Sequence, residues 1–363
     1  LDEVAVLLRV EVDAVGLQDR RVRDGRVGDR DVRERTLHEL GRSGAATAVV
    51  VFLSGLDQGR KLFQEAEMNM PDASRLAQLG DTLARWQVDG GPVHLHPGDL
   101  GWYSRLGADE TASAIRIWAD GATPAAIGLL DGPQLLRLAI DPTRRDDDGL
   151  ARRIADSIED PEVGVFASGQ ATVEARGASA LTRILGQRGW QEDEPWIPLR
   201  LDLSAPVQPT CTLIETIDED RAGEWVGVHW SAFRGTPLDD AVRQTLVNRW
   251  LAMTAGPFAG TSRNLVAFDA QGRAVAVTTV WSAGPGRPGL IEPMGVHRDH
   301  RGRGYGVEIT RAGAAALREM GSSSAVVAAE GANTGALATY LAAGFVAATP
   351  VVDMSRGELE PRA

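Results

Sequence analysis

Two segments of the chain share a pattern of glycine and aromatic residues at one constant separation. The pairs Gly189-Trp190 and Gly344-Phe345 stand 155 residues apart, and each ends a helix-like segment that begins at residue 179 or 334. The same offset separates Gly149 from Gly304, and each of these glycines lies between a strand-like run and a helix-like run. Two landmarks with one offset indicate a duplicated unit, which fixes the architecture of most of the chain.

The duplication divides the 363 residues into three parts. Residues 68–205 (the first copy) and residues 206–363 (the second copy) each predict short strands and amphipathic helices. We therefore expect two tandem α+β domains, each a mostly antiparallel mixed sheet flanked by helices. Residues 1–67 match neither copy, and Met68 stands where the repeat begins. Our hypothesis is that they form a disordered extension or an over-extended gene start; the alternative is a genuine extra subdomain.

Local patterns place individual elements. In the first copy, Leu135–Ile140 predicts a strand, Gly149–Ile158 a helix and Val163–Ala167 a further strand. In the second copy, Thr236-Pro237 predicts a cap and first turn of a helix, because proline fits the first helical position. Leu290–Val296 predicts a strand that leads into a glycine-rich turn.

Composition excludes several function classes. The chain has 50 acidic and 38 basic residues, a net charge of −12, so we expect no nucleic-acid partner. This charge favours a cationic substrate, or it simply provides solubility. The apolar runs, such as Ala46–Leu53, are too short to span a bilayer, so we expect no membrane partner. Cys211 is the only cysteine, which fits a reducing cytoplasm. We expect a cytoplasmic monomer or homodimer.

The turn Arg301–Gly306 reads Arg-Gly-Arg-Gly-Tyr-Gly and precedes a predicted helix. Backbone N–H groups converge at a helix N-terminus, where they and the helix dipole attract anions. Three glycines allow the backbone to approach a phosphate closely, and two arginines add positive charge. The G-x-G-x-G spacing lacks the last interval of the Rossmann motif. A tight turn without a ligand would explain only one or two of the glycines.

Pro293 lies inside the preceding strand. Proline removes a donor from the hydrogen-bond ladder and marks a strand edge or a bulge. A strand that diverges from its neighbour here exposes backbone groups at Met294–Val296. An extended ligand that carries amide groups can pair with them like an added strand.

These residues carry a resemblance to a known family. Arg301–Gly306, followed by Asn333-x-x-Ala336-x-x-x-Tyr340-x-x-x-Gly344-Phe345, resembles the GNAT family of acyl-CoA-dependent N-acetyltransferases. The two motifs have the family's order and separation, and they cover about residues 265–354. The duplication resembles tandem GNAT proteins, among them the mycothiol synthase-like proteins of actinobacteria.

The resemblance implies a role for each matching position. The turn would hold the CoA pyrophosphate, the strand before it would pair with the pantetheine arm, and Asn333 would bond the same arm. Tyr340 would protonate the departing thiolate; packing on the sheet is the alternative for this ring, and a helix N-cap is the alternative or additional role for Asn333. The positions that the resemblance assigns to CoA are Met294, Gly295, Val296, Arg301, Gly302, Arg303, Gly304, Tyr305, Gly306 and Asn333.

The base is less determined by the sequence. An amine acceptor arrives as an ammonium ion and must lose a proton. Glu292 shares a strand face with Met294 and Val296, and burial there would raise the pKa of its carboxylate. Glu292 is therefore the candidate base, and binding the acceptor is its alternative role. His229, His297 and His300 are rival bases.

The first copy departs from the motif. With the offset of 155, Asp146, Asp147 and Asp148 stand where the second copy has Arg301, Gly302 and Arg303. Three carboxylates would repel a pyrophosphate. We therefore expect the first copy to shape the acceptor cleft without catalysing the reaction.

The resemblance thus implies an N-acetyltransferase, an acyltransferase that transfers groups other than aminoacyl. It would move acetyl from acetyl-CoA to a primary amine of a small molecule by direct attack in a ternary complex. The alternative is a non-catalytic CoA-binding sensor or scaffold with a GNAT fold. The sequence has no His/Cys cluster with metal-ligand spacing, so we expect no metal.

Overall fold

The computed structural model describes residues 68–166 and 169–357, which form one mixed sheet of thirteen strands with helices packed against it. The strands are β1 (Met68–Asn69), β2 (Ile115–Asp120), β3 (Thr123–Leu130), β4 (Leu135–Ile140), β5 (Ala171–Glu174), β6 (Gln191–Asp202), β7 (Leu213–Thr216), β8 (Ser262–Phe268), β9 (Ala274–Trp281), β10 (Gly289–Val296), β11 (Ser324–Glu330), β12 (Val346–Ala347) and β13 (Val351–Arg356). The α-helices are α1 (Leu76–Trp86), α2 (Pro97–Tyr103), α3 (Ala108–Ala114), α4 (Asp148–Glu159), α5 (Ser179–Gln187), α6 (Ala222–Phe233), α7 (Asp240–Thr254), α8 (Tyr305–Glu319) and α9 (Thr334–Ala342).

The sheet confirms the expected mixed, mostly antiparallel architecture. Its strand order is β1-β2-β3-β4-β5-β13-β6-β11-β10-β9-β8-β7, and β12 also pairs with β6. Only two of these pairs are parallel, β4 with β5 and β10 with β11. They occupy equivalent places in the two copies, and α5 and α9 coincide under the offset of 155 seen in the sequence.

The two copies exchange their last strands. The first copy's β6 pairs along the whole of β11, from Ser324 with Asp202 to Glu330 with Trp196. The second copy's β13 pairs with β5 at Ala171–Val173. Backbone hydrogen bonds therefore continue from one copy to the other, so the sheet has no open edge between them.

Apolar side chains on alternating positions bury both faces of the sheet. On β9, Val277 and Trp281 pack in a cluster that contains residues of α1, α2, α6 and α7, whereas Val280 packs in a second cluster with residues of α8. The first cluster includes residues of both copies. Period-2 alternation explains the division, because successive strand residues point to opposite faces.

The packing of α2 on β9 places a polar side chain beside β10. Gly98 and Gly101 lie against the indole of Trp281, and a Cβ at either glycine would overlap that ring. The Trp281 Nε1 donates a hydrogen bond of 2.7 Å to the Glu292 carbonyl. Asp99, between the two glycines, is consequently held near β10.

Two local predictions are wrong. Val163–Phe166 forms turns and bends, and the strand follows at Ala171–Glu174 instead. Helix α7 is capped by Asp239, whose carboxylate accepts from the Val242 N–H at 2.9 Å, and not by Thr236. Asp is preferred over Thr as an N-cap, because its carboxylate accepts well from the N–H of the second or third helical residue. The prediction for residues 1–67 lies outside the described residues. Among those described, no helix is long and apolar enough to cross a membrane.

Candidate active site

Strand β10 diverges from β11 after two residues. Parallel pairing joins Gly289 with Ala325 and Leu290 with Val326, and it goes no further. On its other side β10 stays paired with β9, with a bulge between Ile291 and Met294 that contains the cis Glu292–Pro293 bond. The expected divergence at Pro293 is therefore confirmed. It leaves the β11 side of Met294–Val296 without a ladder partner among the described strands.

Side chains on this part of β10 alternate in burial. Glu292, Met294 and Val296 are half-buried, whereas Pro293 and Gly295 are buried. Strand alternation predicted that these three residues share a face, but the bulge adds one residue between Ile291 and Met294. Ile291 and Met294 consequently pack in the same cluster, on the α8 side, so the alternation does not continue unbroken from Glu292 to Met294. Gly295 approaches α6, where an added Cβ would lie 2.8 Å from the Cβ of Ala232.

The glycine-rich turn ends at the N-terminus of α8. Gly302 and Gly304 have φ values of 72° and 87°, a region that favours glycine. Gly304 is the N-cap of α8 and offers no side-chain acceptor. The N–H groups of Tyr305 and Gly306 lie in the first turn and have no intrahelical carbonyl. This helix N-terminus thus presents donors and a positive dipole end, and no side chain in the described part of the chain caps it.

The two arginines of the turn have different surroundings. Arg301 Nη2 donates to the Ala232 carbonyl at 2.6 Å, which braces the turn against the end of α6. Arg303 is exposed beside the helix N-terminus. A phosphate fits this donor set, because exposed cationic charge and free N–H groups lie together.

The equivalent turn of the first copy is occupied by its own carboxylates. Asp147 Oδ1 accepts from the Leu150 N–H at 3.0 Å, at the start of α4. Asp146 accepts from the Ser179 hydroxyl, and Asp148 pairs with Arg183. In the first copy, a carboxylate of the chain itself therefore occupies the N-terminus of α4.

Tyr340 lies on α9 with 6% of its surface exposed, and its ring centroid is 6.0 Å from that of Phe345. Burial, and then the negative charge of Glu292, raise the pKa of its phenol well above the ordinary value. The phenol is consequently protonated at neutral pH, as a proton donor must be. Its burial shows that packing is part of its role.

Asn333 caps α9. Its Oδ1 accepts from the Ala336 N–H at 3.0 Å, which confirms the N-cap role that the sequence left open. No described contact tests its second role toward a bound pantetheine.

Glu292 is not an isolated buried carboxylate. Its side chain is 29% exposed, and its Oε1 lies 3.4 Å from Nη1 of Arg137 on β4 of the first copy. The same Nη1 lies 3.0 Å from Oδ1 of Asp99, and the Arg137 Nε lies 3.3 Å from Oε2 of Glu174. The candidate base therefore belongs to an ion-pair network that both copies build.

Sequence reasoning missed this network. Arg137 is the one charged residue in a strand that is otherwise apolar, which is the signal that could have pointed to it. Asp99 follows Pro97 in a short helix that was not predicted. Burial raises the pKa of Asp99 to about 8, against the opposing effect of Arg137. Two cations, Arg137 and Arg176, lie among more carboxylates than they can neutralise, and this excess of negative charge favours the protonated form of Asp99.

The rival histidines have other surroundings. His229 stacks on Trp225 with centroids 4.9 Å apart, in an aromatic cluster with Trp102. His297 caps the short turn after β10, and its Nδ1 accepts from the Asp299 N–H at 3.3 Å. Burial and then Arg303 lower the pKa of His300. Within residues 68–166 and 169–357, no group of His, Cys, Asp and Glu has the arrangement of a metal site.

Comparison with known proteins agrees with the sequence resemblance. Residues 224–345 match the Acetyltransferase (GNAT) family. A mycothiol acetyltransferase of Sanguibacter keddieii is 31% identical over 160 residues, which are 42% of this chain and 49% of that protein. The chain thus spans about half the length of this curated relative.

Two solved structures resemble this chain. A tandem GNAT protein from the clavulanic acid biosynthesis pathway has a TM-score of 0.52 and 17% identity, over 82% of this chain and 99% of its own. A GCN5-related N-acetyltransferase of Sphaerobacter thermophilus has a TM-score of 0.48 and 20% identity, over 80% and 95% of the two chains. The first likeness confirms the tandem GNAT fold and says nothing further of activity.

Proposed function

Because residues 224–345 belong to the GNAT acetyltransferase family, whose members use acetyl-CoA as co-substrate, we propose that this protein is an acetyl-CoA-dependent N-acetyltransferase. Its acceptor is a primary amine of a small molecule, which attacks the thioester directly in a ternary complex. The observation that carries the proposal is the gap between β10 and β11, with Glu292 and Tyr340 beside it and the α8 N-terminus at its end.

The second copy supplies the binding groups. The N–H groups at the start of α8 and the guanidinium of Arg303 receive the pyrophosphate. The unpaired backbone at Met294–Val296 bonds the amide groups of the pantetheine arm and orients the thioester carbonyl. Asn333 keeps its cap and turns its amide nitrogen toward the same arm.

Two side chains move protons. The Glu292 carboxylate takes the proton that the ammonium must lose before the amine attacks the carbonyl carbon. The Tyr340 phenol donates its proton to the sulfur as the C–S bond breaks, and the second proton that the attacking nitrogen loses restores the phenol. These steps yield the N-acetyl product and free CoA thiol. The raised pKa of Tyr340 keeps the phenol protonated at neutral pH, as a proton donor must be.

The first copy forms the other wall of the acceptor cleft, and residues 68–205 and 206–363 form two tandem domains. The lone Cys211, which is exposed, fits a reducing cytoplasm. The acceptor of mycothiol acetyltransferases is a reasonable first candidate, because a relative of that name matches part of the chain.

The test is turnover of acetyl-CoA with a panel of small primary amines that includes this acceptor. We expect free-thiol release that depends on one amine, together with the acetylated product by mass spectrometry. Tight CoA binding with no thiol release for any amine would support a CoA-binding sensor instead.

A further inference from the structure

Glu292 is the most solvent-exposed member of a buried network of ion-paired side chains. Its side chain is 29% exposed, whereas Asp99 and Glu174, which share its arginine, are 2% and 8% exposed. Asp131, 3.7 Å from Arg137, is 17% exposed. A carboxylate at the edge of a buried network is the member that can meet a ligand.

The network fixes the guanidinium of Arg137 from two directions. Asp99 lies 3.0 Å from its Nη1, and the Asp99 Oδ2 is held in turn by the His96 N–H at 2.6 Å. Glu174 lies 3.3 Å from its Nε. Because the guanidinium is planar and its donors have a fixed geometry, the hydrogen bond to Glu174 and the close charge contact with Asp99, which is not a hydrogen bond, together restrict its orientation.

The ion-pair network around Arg137 extends beyond Glu174. Arg176 lies 3.3 Å from Glu174, and it donates to both oxygens of Asp353 on β13, at 3.1 and 3.0 Å. The exchanged strand β13 thus anchors the network from the second copy. The position of the Arg137 guanidinium is consequently set by partners other than Glu292.

A glutamate at the edge of a cleft has three rotatable side-chain bonds and samples many rotamers when nothing holds it. Proton transfer in the transition state requires a defined geometry, and small displacements reduce rates severely. Arg137 stands at the position of the first copy that corresponds to Glu292, 155 residues earlier, and reaches across to it.

We propose that Arg137 of the first copy is a positioning residue for the reaction of the second copy, because it orients the Glu292 carboxylate toward the acceptor amine. The inference rests on the proposed function. It assigns the first copy a part in the chemistry beyond forming the wall of a cleft.

The experiment is a double-mutant cycle on the full chain, with Arg137→Lys, Glu292→Gln and both together. Lysine keeps the charge but loses the planar fork. We expect Arg137→Lys to lower kcat by at least about tenfold, with the KM for acetyl-CoA changed less than about twofold. In the Glu292→Gln background it should cause no further loss, because the carboxylate that it orients is gone.

Arg144→Lys is the matched control, since Arg144 pairs with Asp120 and Asp147 in the first copy and has no described contact with Glu292. If Arg137→Lys does not fold by circular dichroism, Glu174→Gln replaces it, because this change weakens the hydrogen bond to the Arg137 Nε and keeps the arginine. The same non-additivity is expected.

Equal losses of kcat in both backgrounds, or no loss, would overturn the inference while the proposed function stands. A wild-type protein that acetylates no amine in the panel would overturn both. A wild-type activity that Glu292→Gln leaves unchanged would refute the base assignment and the positioning role with it.

Discussion

The carboxylate of Asp147 accepts a hydrogen bond from the N–H of Leu150, and it thereby occupies the helix N-terminus that the second copy leaves open at Tyr305. The two helices begin in equivalent places, but one is capped by its own anion and the other by a glycine without a side chain. This difference makes the second turn the one suited to a phosphate.

Gly304→Asp therefore tests the CoA site. The change adds a negative charge at the proposed phosphate position, and it requires a non-glycine residue at a φ of 87°. We expect CoA affinity by calorimetry to fall tenfold or more, about 1.4 kcal/mol. Gly304→Ala separates backbone strain from charge, and Gly149→Asp in the first copy should leave the affinity unchanged. An unchanged affinity for Gly304→Asp would move the pyrophosphate elsewhere.

Tyr340→Phe tests the proton donor. The substitution removes one oxygen and keeps the ring that packs beside Phe345. We expect kcat to fall by roughly 10²–10⁴, with little change in CoA affinity. Because the phenol's pKa is raised, ionisation of Tyr340 should cause no loss of rate up to about pH 10 in the wild type. Tyr103→Phe, at another buried tyrosine, is the control; a near-normal rate for Tyr340→Phe would assign that residue to packing.

Glu292→Gln tests the base. Glutamine keeps the size and hydrogen-bonding capacity but takes no proton. We expect a large loss in kcat/KM, together with disappearance or displacement of the acidic limb of its pH profile. Weaker acceptor binding with that limb intact would mean that Glu292 holds the ammonium, and that another group takes the proton.

Asp99 should make stability depend on pH. Its pKa is raised to about 8 in the folded protein, mainly by burial, so the folded state binds a proton that the unfolded chain has released. The sign follows from proton linkage: this contribution to stability is complete below the pKa of the unfolded chain, near 4, and is lost as pH rises to about 8. In urea denaturation, the free energy of unfolding of wild type relative to Asp99→Asn should therefore decrease from pH 5 to pH 8. A difference that is constant over this range would contradict the assignment.

Gly101→Ala tests the packing that places Asp99. A methyl group there would overlap the Trp281 ring, so we expect a loss of about 1–3 kcal/mol in the free energy of unfolding by urea denaturation. Gly223→Ala on α6, where an added Cβ meets nothing within 4 Å, should stabilise the protein by about 0.4–1 kcal/mol. Equal stability of the two variants would mean that α2 does not depend on this close approach.

Patterns of residue type along the sequence correctly predicted several of the strands and helices. The alternation at β9, the glycines around α8 and the repeat offset were sufficient for the second copy, and the family motif located the turn and Tyr340. The strand at Val163–Ala167 was placed wrongly, because a short apolar run fits a turn next to a strand as well as it fits the strand.

The sequence by itself determined the duplicated mixed fold and the resemblance to the GNAT family, because periodicity, glycine positions, a motif and a repeated pattern are read from residue types without any tertiary contact. Only the tertiary structure decided that β6 and β13 change places between the copies, and that Arg137 meets Glu292. Strand pairing and ion pairs join residues that are distant along the chain, and their choice depends on burial and on the charges that share one site. A lone arginine in an apolar strand indicates that an anionic partner exists, but only the folded sheet determines which carboxylates pair with it.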